Sequence, residues 1–236
     1  MPNITTSNKY IFSPNLRKLF DELLINNIKI VVLRSHERLP DFYRHDLDVH
    51  IRYSDIPFFF SVVTKLFGEG AIEIVDSRYG LVKIILKFHN EVIEFDIAYG
   101  FYFGGIAYYD ENIIMNAAIF DRIKRIYTPL KVHEIDISIL KELLHNGRMR
   151  AEKSDYLING ILNPKLESRV LLPLELKLII GSIKEGRHSM HWLQIKVFLR
   201  VFFINIKTKG IKALMVNILN HIRIKYFGSN LLQLNK

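Results

Sequence analysis

Apolar positions first recur at helical spacing between Pro14 and Asn26, where Leu16, Phe20, Leu23 and Leu24 follow Ser13, a residue suited to cap a helix. The run Ile28 to Leu33 then reads as a buried strand. After a polar stretch holding Pro40, Asp46-Leu-Asp-Val-His-Ile51 alternates strictly, so Asp46, Asp48 and His50 share one face and Leu47, Val49 and Ile51 the other. That acidic face is expected to look into water or a site. Ser54 or Asp55 starts a helix that runs through Phe58-Phe59-Phe60 to Phe67 and stops at Gly68-Glu-Gly70. Leu81 to Phe88 and Glu91 to Ala98 predict two strands, and the His89-Asn90 pair between them predicts a tight hairpin. In the second strand Glu94, Asp96 and Ala98 lie opposite Ile93, Phe95 and Ile97.

Past Thr128-Pro129 the pattern becomes helical only. Segments from His133 to His145, Ala151 to Leu162, Leu174 to Lys184, His191 to Ile206 and Ile211 to Tyr226 are punctuated by Gly147, Pro164, Gly186 and Gly210. The expected architecture is α+β, a mixed-sheet domain over residues 1–128 followed by a helical domain over residues 129–236 with basic amphipathic C-terminal helices.

Composition narrows the chemistry. The chain has 236 residues, 49% of them hydrophobic, enough for a sizeable core. It has no Cys, which excludes disulfides, thiolate zinc sites and a cysteine nucleophile and leaves carboxylates and histidines as the strong metal ligands. Nothing near the N-terminus pairs a basic region with an apolar run, and the best apolar segment, Val197 to Ile206, is short and carries Arg200. A cytoplasmic protein is expected. The formal net charge of +9 calls for anionic partners: nucleotide phosphates, nucleic acid or an acidic lipid surface.

Two carboxylates at i and i+2 on a strand project to one side about 7 Å apart along the backbone, close enough to converge on divalent cations. A third from an adjacent strand would close the cage. Paired Mg²⁺ ions roughly 4 Å apart are what nucleotidyl transfer uses to activate the attacking oxygen and neutralise the triphosphate.

The run Ile30-Val-Val-Leu-Arg-Ser-His-Glu-Arg-Leu-Pro40, followed by Asp46-Leu-Asp48, resembles the polymerase-β-like nucleotidyltransferase superfamily. More narrowly it is similar to bacterial members from surface-polysaccharide gene clusters, in which a strand ending in Leu-Arg leads through Glu-x-Leu-Pro to an Asp-x-Asp strand. Phe95-Asp96-Ile97 matches the apolar-Asp-apolar strand that carries the third family carboxylate, and Tyr99-Gly100, Gly104-Gly105 and Leu143-Leu-His145 resemble later family segments. The resemblance implies that Asp46, Asp48 and Asp96 are both metal ligands and catalytic residues for Mg²⁺ or Mn²⁺, and that Asp96 helps deprotonate the acceptor. The donor would be a nucleoside triphosphate and the acceptor a small molecule or glycan, with the helical domain closing over the nucleotide. Arg34-Ser35 stands where the wider superfamily has Gly-Ser or Gly-Gly, which implies phosphate binding by the Arg34 guanidinium and Ser35 rather than by a backbone cradle.

Other charged and aromatic residues have plainer readings. Glu94 shares a face with Asp96, and the flanking Phe95 and Ile97 favour Asp96. His45 and His50 are expected at the surface, Lys83 and Lys87 on a solvated face, and Phe101 to Phe103 in packing. Arg148, Arg150 and Lys153 suit either phosphate or helix-end carbonyls. The last helices combine apolar stripes with Lys and Arg, which predicts peripheral contact with an anionic membrane. No RNA-binding module is evident, so nucleic acid is not the expected partner. The alternative to an enzyme is a non-catalytic protein of the same fold that binds membrane or a polysaccharide-assembly partner.

Overall fold

The computed structural model describes residues 10–34, 36–43, 46–88, 91–149, 154–162, 171–185 and 190–227. The chain is an α+β protein, and it divides into two compact units. The first comprises residues 1–77, 81–99 and 118–128, and the second residues 78–80, 100–117 and 129–236.

In chain order the first unit begins with β1 (Ile11–Phe12) and α1 (Pro14–Ile25), followed by β2 (Val31–Val32), β3 (Phe42–Tyr43) and β4 (Leu47–His50). A short 3₁₀ turn leads into α2 (Ile56–Phe67), and β5 (Ile72–Arg78), β6 (Leu81–Phe88) and β7 (Glu91–Ala98) follow. The second unit takes up β8 (Phe101–Phe103), β9 (Ile106–Tyr109) and α3 (Glu111–Ala117), and the chain returns to the first for β10 (Ile119–Asp121) and β11 (Ile126–Thr128). The rest of the second unit is α4 (Lys131–Lys141), a π turn (Glu142–Asn146), α5 (Ser154–Ile161), α6 (Pro173–Lys184) and α7 (His191–Phe227).

A seven-stranded mixed sheet in the order β10-β11-β2-β4-β7-β6-β5 forms the centre of the first unit. The pairs β11–β2 and β4–β7 are parallel, whereas β2–β4 and β6–β7 are antiparallel. Alternation sorts the sheet into two faces. Leu47, Val49, Phe95, Ile97, Ile84 and Leu86 are buried on one, together with Leu16, Leu19 and Phe20 of α1 and Phe59 and Val63 of α2. Phe59 meets the Phe95 ring at 6.2 Å, and Phe67 meets Phe88 at 4.2 Å. The opposite face carries Asp48, His50, Lys83, Glu94 and Asp96.

Ser13 starts α1 as the sequence predicts. Its buried Oγ accepts from the Leu16 N–H at 3.1 Å and donates to Glu91 at the start of β7. One hydroxyl thus caps a helix and ties it to the sheet. Ser13→Ala is expected to lower stability by about 1–2 kcal/mol, measured by urea unfolding, because both partners lose a bond.

Several elements differ from the pattern-based expectation. The β2 ladder is only Val31–Val32, although Ile28 and Ile30 are also buried. β5 is unanticipated because it is an edge strand exposed on both faces, with Ile74 and Val75 at 43% and 51%. The predicted helix to His145 divides into α4 and the π turn. Gly147 follows at φ 61°, and a side chain there would sit 2.8 Å from His191 Nδ1, so both conformation and space call for glycine. Gly210, at φ 79° and ψ 157°, breaks α7 into the two helical segments that the sequence predicts.

Candidate metal centre

β4 and β7 run parallel with Asp48 directly beside Asp96 in register, so adjacent strands deliver two carboxylates to one face. Asp46 lies two residues earlier, immediately before β4, and returns to the same side. Each of the three offers an oxygen, and these oxygens lie within 4.8 Å of one another. Asp48 is buried, while Asp46 and Asp96 are partly open to solvent.

β2 places a cation against them. The Leu33 N–H donates to the Asp48 carbonyl at 2.9 Å, which brings the next residue, Arg34, over the acidic pair. Its Nε donates to Asp48 Oδ2, and its second guanidinium nitrogen stands 3.7 Å from Asp46 Oδ2. β6 supplies the second cation. Lys83 is the register partner of Asp96, and its Nζ pairs with Glu94 and lies 3.6 Å from Asp96 Oδ1. The hydrogen bond to Glu94, with the charges of Asp96, Glu94 and Asp46, holds the Lys83 ammonium above its ordinary range against the opposing pull of burial.

Glu94 and Asp96 share a face, yet Asp96 is the one that joins Asp46 and Asp48. Two plainer expectations are corrected. Lys83 is not on a merely solvated face, because its position opposite Asp96 brings it to the carboxylates. The strand pairing, which single-strand alternation cannot supply, would have marked it. His50 is fully buried rather than at the surface, since β2 and β7 flank β4 on both sides. Burial pushes its pKa down to about 4 against the hydrogen bond its Nδ1 donates to the Ala98 carbonyl at 2.8 Å, and nearby Arg52 adds to the depression. His50 is therefore a neutral core histidine. Lys87 pairs with Glu73 at 2.7 Å, away from the cluster. Ser35, His45, Arg150 and Lys153 lie outside the described residues.

Three hard carboxylate oxygens at this spacing could hold a metal ion. The two flanking cations are also suited to a polyanion, because a guanidinium and an ammonium at the rim of a carboxylate cluster can both exchange onto phosphate oxygens.

No family model matches the chain, and no curated protein matches it. Two solved structures are similar in outline. One is described as a "putative nucleotidyltransferase" from H. pylori, at 12% identity and a TM-score of 0.35, covering 78% of this chain and 96% of that one. The other is JHP933 from Helicobacter pylori, at 11% identity and a TM-score of 0.36, covering 83% of this chain and 100% of that one.

Proposed function

We propose that the protein is a metal-dependent nucleotidyltransferase that moves a nucleoside monophosphate from a nucleoside triphosphate to a hydroxyl or phosphate acceptor. The observation that carries this reading is the meeting of Asp46, Asp48 and Asp96 from two adjacent parallel strands, with oxygens within 4.8 Å of one another. When bound by these three residues, divalent cations would supply charge neutralisation on the triphosphate and acidify the attacking group. The acceptor oxygen forms a bond to the α-phosphorus, the bond to the bridging oxygen breaks, and pyrophosphate leaves. Asp96, from the second strand, takes the acceptor proton. Arg34 and Lys83 bind phosphate oxygens and so orient the triphosphate. The Leu-Arg, Leu-Pro and Asp-x-Asp order between Ile30 and Asp48 extends the proposal to a small-molecule or glycan acceptor of surface-polysaccharide assembly. Calorimetric titration of each nucleoside triphosphate with Mg²⁺ or Mn²⁺ tests it. Metal-dependent binding is expected, and its absence with every triphosphate would overturn the reading.

A second reading has an observation in its favour. Arg34 and Lys83 already neutralise the carboxylates, as they would in a non-catalytic protein that keeps the fold and uses the charges as a structural network. Arg34→Ala separates the two. For the enzyme, removing a competing cation should raise metal affinity without nucleotide by about tenfold, while triphosphate binding weakens. For the structural network, the variant loses thermal stability and still binds no ion.

A further inference from the structure

Helix α7 packs one face and leaves the opposite face apolar and exposed. Before Gly210, Leu193, Val197 and Val201 are buried. Asn205, also buried, donates to the Ala107 carbonyl at 2.7 Å and the Val201 carbonyl at 2.8 Å. Across the helix from them, Trp192, Ile195, Leu199 and Phe203 recur at helical spacing and are 56%, 60%, 47% and 63% exposed. After Gly210, Leu214 is buried, whereas Ile211, Met215, Leu219 and Ile222 form a second exposed stripe. An outward helix face ordinarily carries charge, and a run of large apolar side chains there marks an interaction surface.

Charge selects the occupant. From His191 to Phe227 the sequence holds seven Lys or Arg and no Asp or Glu. At 3.6 residues per turn, Lys196 and Lys207 border the first stripe on one side and Lys209 on the other. Lys212 and Arg223 border the second stripe on one side and Lys225 on the other. Arg200 is already committed to Glu175. A second copy of the helix laid on these stripes would bring like charges together with no carboxylate on either helix to offset them. A surface that is apolar within and anionic at its boundary satisfies both the stripes and their borders. No helix among the described residues is long and apolar enough to cross a membrane, so the fitting geometry is a helix lying in the plane of the interface.

We propose that α7 docks the protein on a membrane rich in anionic lipid, with the apolar stripes among the acyl chains and the bordering lysines among the headgroups. The inference does not depend on the chemistry of the metal centre. Trp192 is the only tryptophan of the chain and lies within the first stripe, so its fluorescence reports docking without a label. The full chain is titrated with vesicles of phosphatidylcholine alone and with added phosphatidylglycerol, and flotation is read in parallel. The expected result is a blue shift and flotation with the anionic vesicles, both reduced by salt. Lys207→Glu with Lys209→Glu and Lys212→Glu is expected to weaken partitioning by roughly tenfold or more. Phe203→Glu and Leu219→Glu change exposed positions, so they should abolish flotation while the helical circular dichroism stays unchanged. Absence of binding, or equal binding to both vesicle types, overturns the proposal. So does a vesicle-free blue shift that disappears on dilution together with a dimer in light scattering, which would assign the stripes to a second copy of the chain.

Discussion

Asp48→Asn is expected to reduce metal-dependent triphosphate binding and turnover by at least about a hundredfold, since a directly ligating carboxylate matters at least as much as the partners that orient such ligands. Asp46→Asn and Asp96→Asn should do the same, because an ion shared by these three oxygens, which lie within 4.8 Å of one another, would lose a ligand in each case. Stability should change little. Arg34 is 35% exposed along its side chain, so when Asp48 loses its charge the guanidinium keeps water and Asp46, and the cost stays within about 1 kcal/mol. For Asp46 and Asp96, neutralisation also relieves repulsion between clustered carboxylates, so a small gain in metal-free buffer is expected. Calorimetry with Mn²⁺ and triphosphate, paired with thermal melts of the same samples, separates the two effects. Unchanged metal affinity in all three variants would remove the enzymatic reading and leave the carboxylates as partners of Arg34 and Lys83.

The carboxylates are legible in the sequence because strand alternation is a local property. Asp46 and Asp48 stand two residues apart beside three apolar residues, and Asp96 stands between Phe95 and Ile97, so each strand declares its own faces. Register is not local. Only the two-residue turn expected at His89-Asn90, not the strand Leu81 to Phe88 itself, implies that Lys83 lies opposite Asp96, and nothing within Leu47 to His50 says that strands on both sides will bury His50. The same limit hides β5, whose exposed edge leaves Ile74 and Val75 without the alternation that marks a half-buried strand. It also hides β8 and β9, where Phe101, Ile106, Tyr108 and Tyr109 are all buried and an aromatic run has no periodicity to read. Apart from α3, whose seven residues are too few to show a helical repeat, the helices are legible from their pattern with caps and stops: Ser13 before α1, Gly68 after α2, Gly210 within α7. What caps cannot reveal is which polar side chain a helix will bury, and Glu175 is the case with the largest consequence.

Glu175 sits in the first turn of α6 and is fully buried, and Arg200→Ala is expected to cost about 3 kcal/mol by leaving it there without its guanidinium. Both Glu175 oxygens accept from Arg200 at 2.5 Å, one also accepts from the Leu172 N–H at 3.0 Å, and Lys196 stands 3.6 Å away. Burial alone would push the Glu175 pKa up. The Arg200 hydrogen bonds, the Leu172 N–H and the charges of Arg200 and Lys196 outweigh it and hold the carboxyl below its ordinary 4.5. A carboxyl whose folded pKa is depressed contributes its full stabilisation above the unfolded value and loses it as pH falls through the folded value. The penalty of Arg200→Ala, read from urea unfolding of the helical signal, should therefore be largest near pH 7 and shrink on acidification, because Glu175 without its guanidinium takes up a proton more readily than it does in the wild type. Replacing both partners by Leu should cost much less than Arg200→Ala alone, because no charge is then left buried. A penalty that is small at pH 7, or that does not change on acidification, would show that Lys196 and the Leu172 N–H suffice to hold Glu175 ionised within the fold.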